Sequence, residues 1–134
     1  MAPVLVLDAQ PVVALVRGEP GATQAAAHLV DALSRGSVVM SAVNWCEVMY
    51  LTRRHAGPRA AAEVAARLER LPVSLVNVDV SLAGFAAVIK SDHRMGLGDS
   101  FAAALAMIAG LPLLTADADF LPLAEHGLKL DWLG

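Results

Sequence analysis

The sequence predicts an α/β fold of three layers: a central parallel sheet of about five strands, with helices on both faces. Three observations carry this expectation. Short runs rich in Val, Leu and Met recur along the chain. Alanine-rich stretches of helical length separate them, and alanine is the strongest helix former. The apolar runs are nearly continuous rather than alternating, as expected of strands buried on both faces of a parallel sheet. A chain of 134 residues fits one domain with a sizeable core, so residues 1–134 are read as a single unit.

The elements follow in order. Val4-Leu5-Val6-Leu7 is a buried strand that ends at Asp8. Residues 22–35 form a helix closed by Gly36. Val38-Val39-Met40 is the second strand, and Ser41 after it is a good N-cap for a helix with Trp45, Val48, Met49 and Thr52 on one stripe. Pro58 suits the first turn of another helix, which runs to about Leu71. Leu75-Val76-Asn77-Val78 is the third strand, and Asp79 caps a helix with Leu82, Phe85 and Ile89 inward. A further helix covers residues 98–109, with Phe101, Leu105 and Ile108 inward. Leu113-Leu114-Thr115 is the fourth strand and Leu128-Lys129-Leu130 a weaker fifth. There is no internal repeat, low-complexity segment or linker.

Several classes of protein are excluded. One cysteine, Cys46, permits no internal disulfide, and its apolar neighbours offer no base to activate it as a nucleophile. The first apolar run is short, lacks a basic flank and stops at Asp8, unlike a secretory signal. The longest apolar stretch, Phe101 to Leu114, is broken by Gly110 and Pro112 and is shorter than the ~20 residues a membrane span needs. The expectation is a soluble, cytoplasmic protein with no membrane partner.

The carboxylates separate into two groups. Glu19, Asp31, Glu63, Glu69 and Glu125 lie in polar or helical surface contexts. Asp8 and Asp117, by contrast, each follow an apolar strand directly. In parallel α/β sheets, ligands bind beyond the carboxyl ends of the strands. Glu47 lies one turn into the helix after the second strand, with Asn44 on the same face, and Asp99 opens the helix after Gly96-Leu97-Gly98. Taken singly, each has an ordinary explanation in capping or the helix dipole. Taken together, Asp8, Glu47, Asp99 and Asp117 fall on one edge of one sheet. Gathered carboxylates repel unless a cation neutralises them, and hard oxygen ligands select Mg²⁺ or Mn²⁺. The net charge of −3 is unusual for a nucleic-acid binder, but with four acids assigned to metal, nine remain against ten basic residues.

These segments resemble the PIN-domain ribonucleases, in particular the VapC-type toxins of toxin–antitoxin pairs. The resemblance rests on Val4-Leu5-Val6-Leu7-Asp8, Ser41-Ala42-Val43-Asn44-Trp45-Cys46-Glu47-Val48, Leu97-Gly98-Asp99-Ser100-Phe101-Ala102-Ala103-Ala104 and Leu113-Leu114-Thr115-Ala116-Asp117-Ala118-Asp119-Phe120, in the family's order. It implies a PIN-like fold, a homodimer, a Mg²⁺ or Mn²⁺ site, an RNA substrate and a protein antitoxin. It carries Asp8, Glu47, Asp99 and Asp117 over as the catalytic and metal-binding cluster, with Asn44, Thr115 and Asp119 in support. Many members have Ser or Thr one or two residues after the first Asp, where this chain has Ala9 and Gln10.

The chemistry expected is hydrolysis of RNA phosphodiesters. Arg53, Arg54 and Arg59 are candidates to meet phosphates, whereas His28, His55, His93 and His126 share no spacing and read as surface residues. One alternative is a PIN-like RNA-binding or scaffold module that has lost activity. A dehalogenase-like phosphatase needs a second Asp two residues after the first, where Gln10 stands. A flap-cutting DNA nuclease needs a helical clamp, for which the chain leaves little room.

Overall fold

The computed structural model describes residues 1–134. Five parallel strands, β1 (Pro3–Leu7), β2 (Ser37–Ser41), β3 (Val73–Val76), β4 (Leu113–Thr115) and β5 (Leu130–Trp132), lie in the order β3-β2-β1-β4-β5. Seven helices connect them: α1 (Ala9–Arg17), α2 (Ala22–Arg35), α3 (Ala42–Ala56), α4 (Pro58–Arg70), α5 (Val80–His93), α6 (Leu97–Ala109) and α7 (Leu121–Ala124), the last preceded by a 3₁₀ turn over Ala118–Phe120. The expected α/β class, the parallel sheet and the two helical layers are all present.

The central strands explain their own sequences. Leu5, Leu7, Val38 and Met40 face one core, with Val12, Val13, Val48 and Val64 from the helices over them. Val6, Val39 and Leu113 face the other, under Leu82, Ile89, Phe101 and Leu105. A strand covered on both sides has no polar face to show. Six consecutive residues of α6, Phe101 to Ala106, are buried, and its alanines let the helix approach the sheet closely.

Four details depart from the expectations. Residues 9–17, which carried no helix assignment, form α1, capped by Asp8 and stopped by Gly18 in the left-handed conformation. β3 begins two residues before the expected Leu75, and β5 is shifted toward Trp132. Both are edge strands with half-exposed side chains, so burial does not mark their limits. Phe85 and Ile108 point outward, and Ala86 takes the inward place on α5. Cys46 is exposed rather than part of the apolar interior. No helix is long and apolar enough to cross a membrane.

Candidate active site

The carboxyl ends of β1, β2 and β4 and the first turn of α6 bring the acidic residues together. β1 pairs with β4 so that Leu7 stands opposite Leu114, and the next residues along, Asp8 and Thr115, are therefore neighbours. Thr115 Oγ1 donates to Asp8 Oδ2 at 3.0 Å, and the Ala9 amide donates to Asp8 Oδ1 at 2.9 Å. Asp8 is 2% exposed and both its oxygens are already oriented. The same Thr115 Oγ1 accepts the Asp117 amide at 3.1 Å, and Asp117 Oδ1 accepts the Asp119 amide at 2.9 Å. Thr115 thus fixes the position of two carboxylates at once.

Glu47 is placed by a second network. Ser41 caps α3, accepting the Asn44 amide at 3.1 Å and donating from its hydroxyl to Asn44 Oδ1 at 2.7 Å. That leaves the fully buried Asn44 Nδ2 free to donate to Glu47 Oε1 at 2.9 Å and to the Gly98 carbonyl at 3.0 Å. One amide therefore ties α3 to α6 and aims a carboxylate. A Cβ at Gly98 would clash with the Glu47 carboxylate, so a side chain there would push that carboxylate out of the place Asn44 gives it.

Asp99 joins the two halves. Oxygens of Asp99, Asp117 and Asp119 lie within 4.8 Å of one another. Asp99 also lines an open pocket of about 210 Å³ together with Asp8 and Glu47. Every acid expected in the site is thus in one assembly. The structure's ion pairs, Arg17–Glu19, His28–Asp131 and Arg35–Asp31, include none of them. Burial, followed by the charge of Asp99, pushes Asp8 up to about 7 against the pull of Thr115 and the Ala9 amide. Burial and then the charges of Asp117, Glu47 and Asp119 push Asp99 up to about 6. Burial raises Glu47 as well, opposed by Asn44. Such shifts mark negative charge held without compensation. A set made only of oxygen donors fits a hard divalent cation.

Sequence reasoning missed Gly98 as a steric partner and Arg17 as the basic residue lining the Asp8 pocket. The latter has no local signal, because Arg17 reaches the pocket only through the unassigned helix α1. Gln10, noted as a departure from the family, accepts the Ala116 amide at 3.4 Å and so ties α1 to the loop carrying Asp117. Arg53, Arg54 and Arg59 do not line this pocket, and Arg54 lies over the Tyr50 ring, 5.5 Å from its centroid. None of the four histidines lines it either.

Comparison with known proteins identifies the family. The PIN domain family model matches residues 5–125. Ribonuclease VapC42 of Mycobacterium tuberculosis is 32% identical over 125 residues, covering 87% of this chain and 92% of its own. Ribonuclease VapC of Mycolicibacterium smegmatis is 32% identical over 117 residues, covering 82% and 88%. The chain belongs to the PIN-domain family and, within it, to the VapC group. Among solved structures, Mycobacterium tuberculosis VapC20, a sarcin-ricin loop cleaving toxin, superposes with a TM-score of 0.77 at 21% identity over 94% of this chain and 98% of its own. VapBC2 of Rickettsia felis, bound to a promoter DNA fragment, does so at 0.77 with 13% identity over 96% and 97%. At those identities the superpositions speak for the fold alone.

Proposed function

We infer that this protein is a Mg²⁺- or Mn²⁺-dependent endoribonuclease and the toxin of a toxin–antitoxin pair, with residues 1–134 acting as one catalytic domain in the cytoplasm. The observation that carries the reading is the uncompensated carboxylate assembly centred on Asp99. Asp8, Glu47, Asp99 and Asp117 are the oxygen donors that would hold the cation. Asn44 aims Glu47, Thr115 aims Asp8 and Asp117, and Asp119 adds negative charge at the rim. A bound Mg²⁺ or Mn²⁺ would supply acid strength to a water nucleophile and positive charge to the phosphate. The chain's part is to hold the reacting groups and move a proton. One carboxylate of the cluster would accept the proton as water oxygen attacks phosphorus and the bond to the leaving sugar oxygen breaks.

Partners follow from the same reading. VapC-type relatives and VapBC structural neighbours support a protein antitoxin. Trp45, which lines an apolar pocket with Leu68 and Leu75, and exposed Tyr50 offer anchors near Glu47. A homodimer is supported by the outward Phe85 and Val88 of α5, which share an open groove with Met107 of α6.

The test is cleavage of single-stranded and structured RNA with Mg²⁺, with Mn²⁺ and with chelator. Cleavage should require the cation and be lost in Asp99→Ala, which keeps its helix because alanine is a good helix former. Cation-independent cleavage, or an Asp99→Ala variant as fast as the parent, would refute the assignment. The scaffold alternative expects RNA binding without cleavage under any cation. Purification from the native source, with activity measured before and after any partner is stripped away, tests the antitoxin.

A further inference from the structure

Arg17, the last residue of α1, lines two pockets. One is the acidic pocket of Asp8, Glu47 and Asp99, where Arg17 is the only basic residue. The other, about 280 Å³, is also lined by His55 at the end of α3 and Arg67 of α4, with Glu63 as its one acid. A basic pocket therefore adjoins the acidic one, and Arg17 belongs to both. We propose that the RNA strand leaving the carboxylate site crosses Arg17 and enters the His55–Arg67 pocket, with Arg17 positioning the phosphate next to the scissile one. This inference rests on the nuclease reading above and assigns the path of its substrate.

The chemistry requires such a residue. Phosphates flanking the scissile bond meet a strongly anionic rim, and the neighbouring cation must offset that repulsion without neutralising the carboxylates themselves. Arg17 satisfies both conditions, because it is paired with Glu19 rather than with any cluster acid. That pair is long, at 3.4 Å, and its side chains are 30% and 41% exposed. An ion pair of this kind contributes little, so Arg17 can exchange Glu19 for a phosphate, which a guanidinium grips with two parallel hydrogen bonds. The ordinary account of Arg17 is a basic residue complementing the C-terminal end of the α1 dipole. That account expects a small loss of stability and no effect on RNA.

The experiment compares Arg17→Gln with Arg35→Gln, which removes the same charge from α2, where Arg35 pairs with Asp31 and lines none of these pockets. Binding of a fluorescent single-stranded RNA is measured across salt concentrations in an Asp99→Ala background with millimolar Mg²⁺. Arg17→Gln should weaken binding about fivefold and lower the salt slope by about 0.7, the value of one single-strand phosphate contact. Adding Arg67→Gln should lower the slope again. In the cleaving chain, KM should rise with kcat unchanged. If Arg17→Gln behaves like Arg35→Gln in slope and KM while the parent still cuts RNA, the path is wrong and the nuclease reading stands. A parent chain that neither binds nor cuts RNA overturns both.

Discussion

Gly98 and Glu47 occupy each other's space: a Cβ on Gly98 would fall on the Glu47 carboxylate. Gly98 lies in the first turn of α6, without a positive φ, so its backbone does not call for glycine. The reason is the room the carboxylate needs. Gly98→Ala should therefore behave as a site mutation. Alanine favours the helix by about 0.5–1 kcal/mol, and the exposed end of Glu47 can swing away, so the melting temperature should stay within about 4 °C of the parent. RNA cleavage should fall at least about tenfold as Glu47 and its bond from Asn44 are displaced. A variant that cuts normally would show that Glu47 need not stand where Asn44 aims it.

The Asp8 environment makes stability depend on pH in a defined direction. Its folded value, about 7, lies above its unfolded value of 3.8. The folded chain therefore holds the proton more tightly than the unfolded chain between those limits. Stability from this group is full below 3.8 and is lost as pH rises through 7. The loss is at most about 4 kcal/mol, and Asp99 adds to it in the same direction. The chelator-treated protein should thus melt at lower temperature at pH 8 than at pH 5. Millimolar Mg²⁺ or Mn²⁺ should restore much of the difference at pH 8, since the cation binds the ionised cluster. Asp8→Asn should flatten the pH profile. A chelated melting temperature that rises between pH 5 and 8, with no response to cation, would contradict the electrostatic account.

How much of this was legible in the sequence depends on how local each cause is. β1, β2 and β4 were legible because their central residues are buried on both faces and apolar, with the polar Ser37, Ser41 and Thr115 only at strand ends. Helix α1 was not. It is only nine residues long, starts directly after the Asp8 strand end, and carries Pro11, Val12 and Val13, residues of low helix propensity. Its cap and its packing on α3 decide its state. The four acids could be placed on one edge because each follows a strand end or opens a helix. What draws them together could not be read, because it is made by contacts distant in the chain. Thr115 reaches Asp8 across 107 positions, and Asn44 reaches Gly98 across 54. Phe85 and Ile108 went astray because α5 and α6 are apolar on more than one face, so periodicity does not choose the inner one.

Thr52 offers a prediction away from the cluster. Its Oγ1 is buried without a hydrogen-bond partner, on the face of α3 that also buries Val48. An unmet hydroxyl of this kind costs about 1–3 kcal/mol, and valine has nearly its shape and the same branching. Thr52→Val should stabilise the protein by about 1 kcal/mol and leave cleavage unchanged. Chemical denaturation measures it, and a destabilised variant would mean that the hydroxyl has a partner in solution.

Thr115→Val separates the positioning of Asp8 from its presence. Thr115 is fully buried, and its hydroxyl does two things: it donates to Asp8 Oδ2 and accepts the Asp117 amide. Valine fills the same volume, so the core should hold, and the cost should be about 1–2 kcal/mol from the two lost bonds. The larger effect falls on Asp8. The Thr115 bond lowers its proton affinity against burial and the charge of Asp99. Without that bond, Asp8 should hold its proton to higher pH, so proton and cation compete more evenly for it near neutrality. The acid limb of the cleavage profile should shift upward, and the cation concentration needed for half-maximal activity at pH 7 should rise severalfold while approaching the parental value at pH 9. Thr115→Ser, which keeps the hydroxyl, should restore the parental profile. A purely structural role for Thr115 expects lower activity by the same factor at every pH and no difference in cation requirement. Measuring activity against cation concentration at two pH values, for parent, valine and serine chains, decides between them.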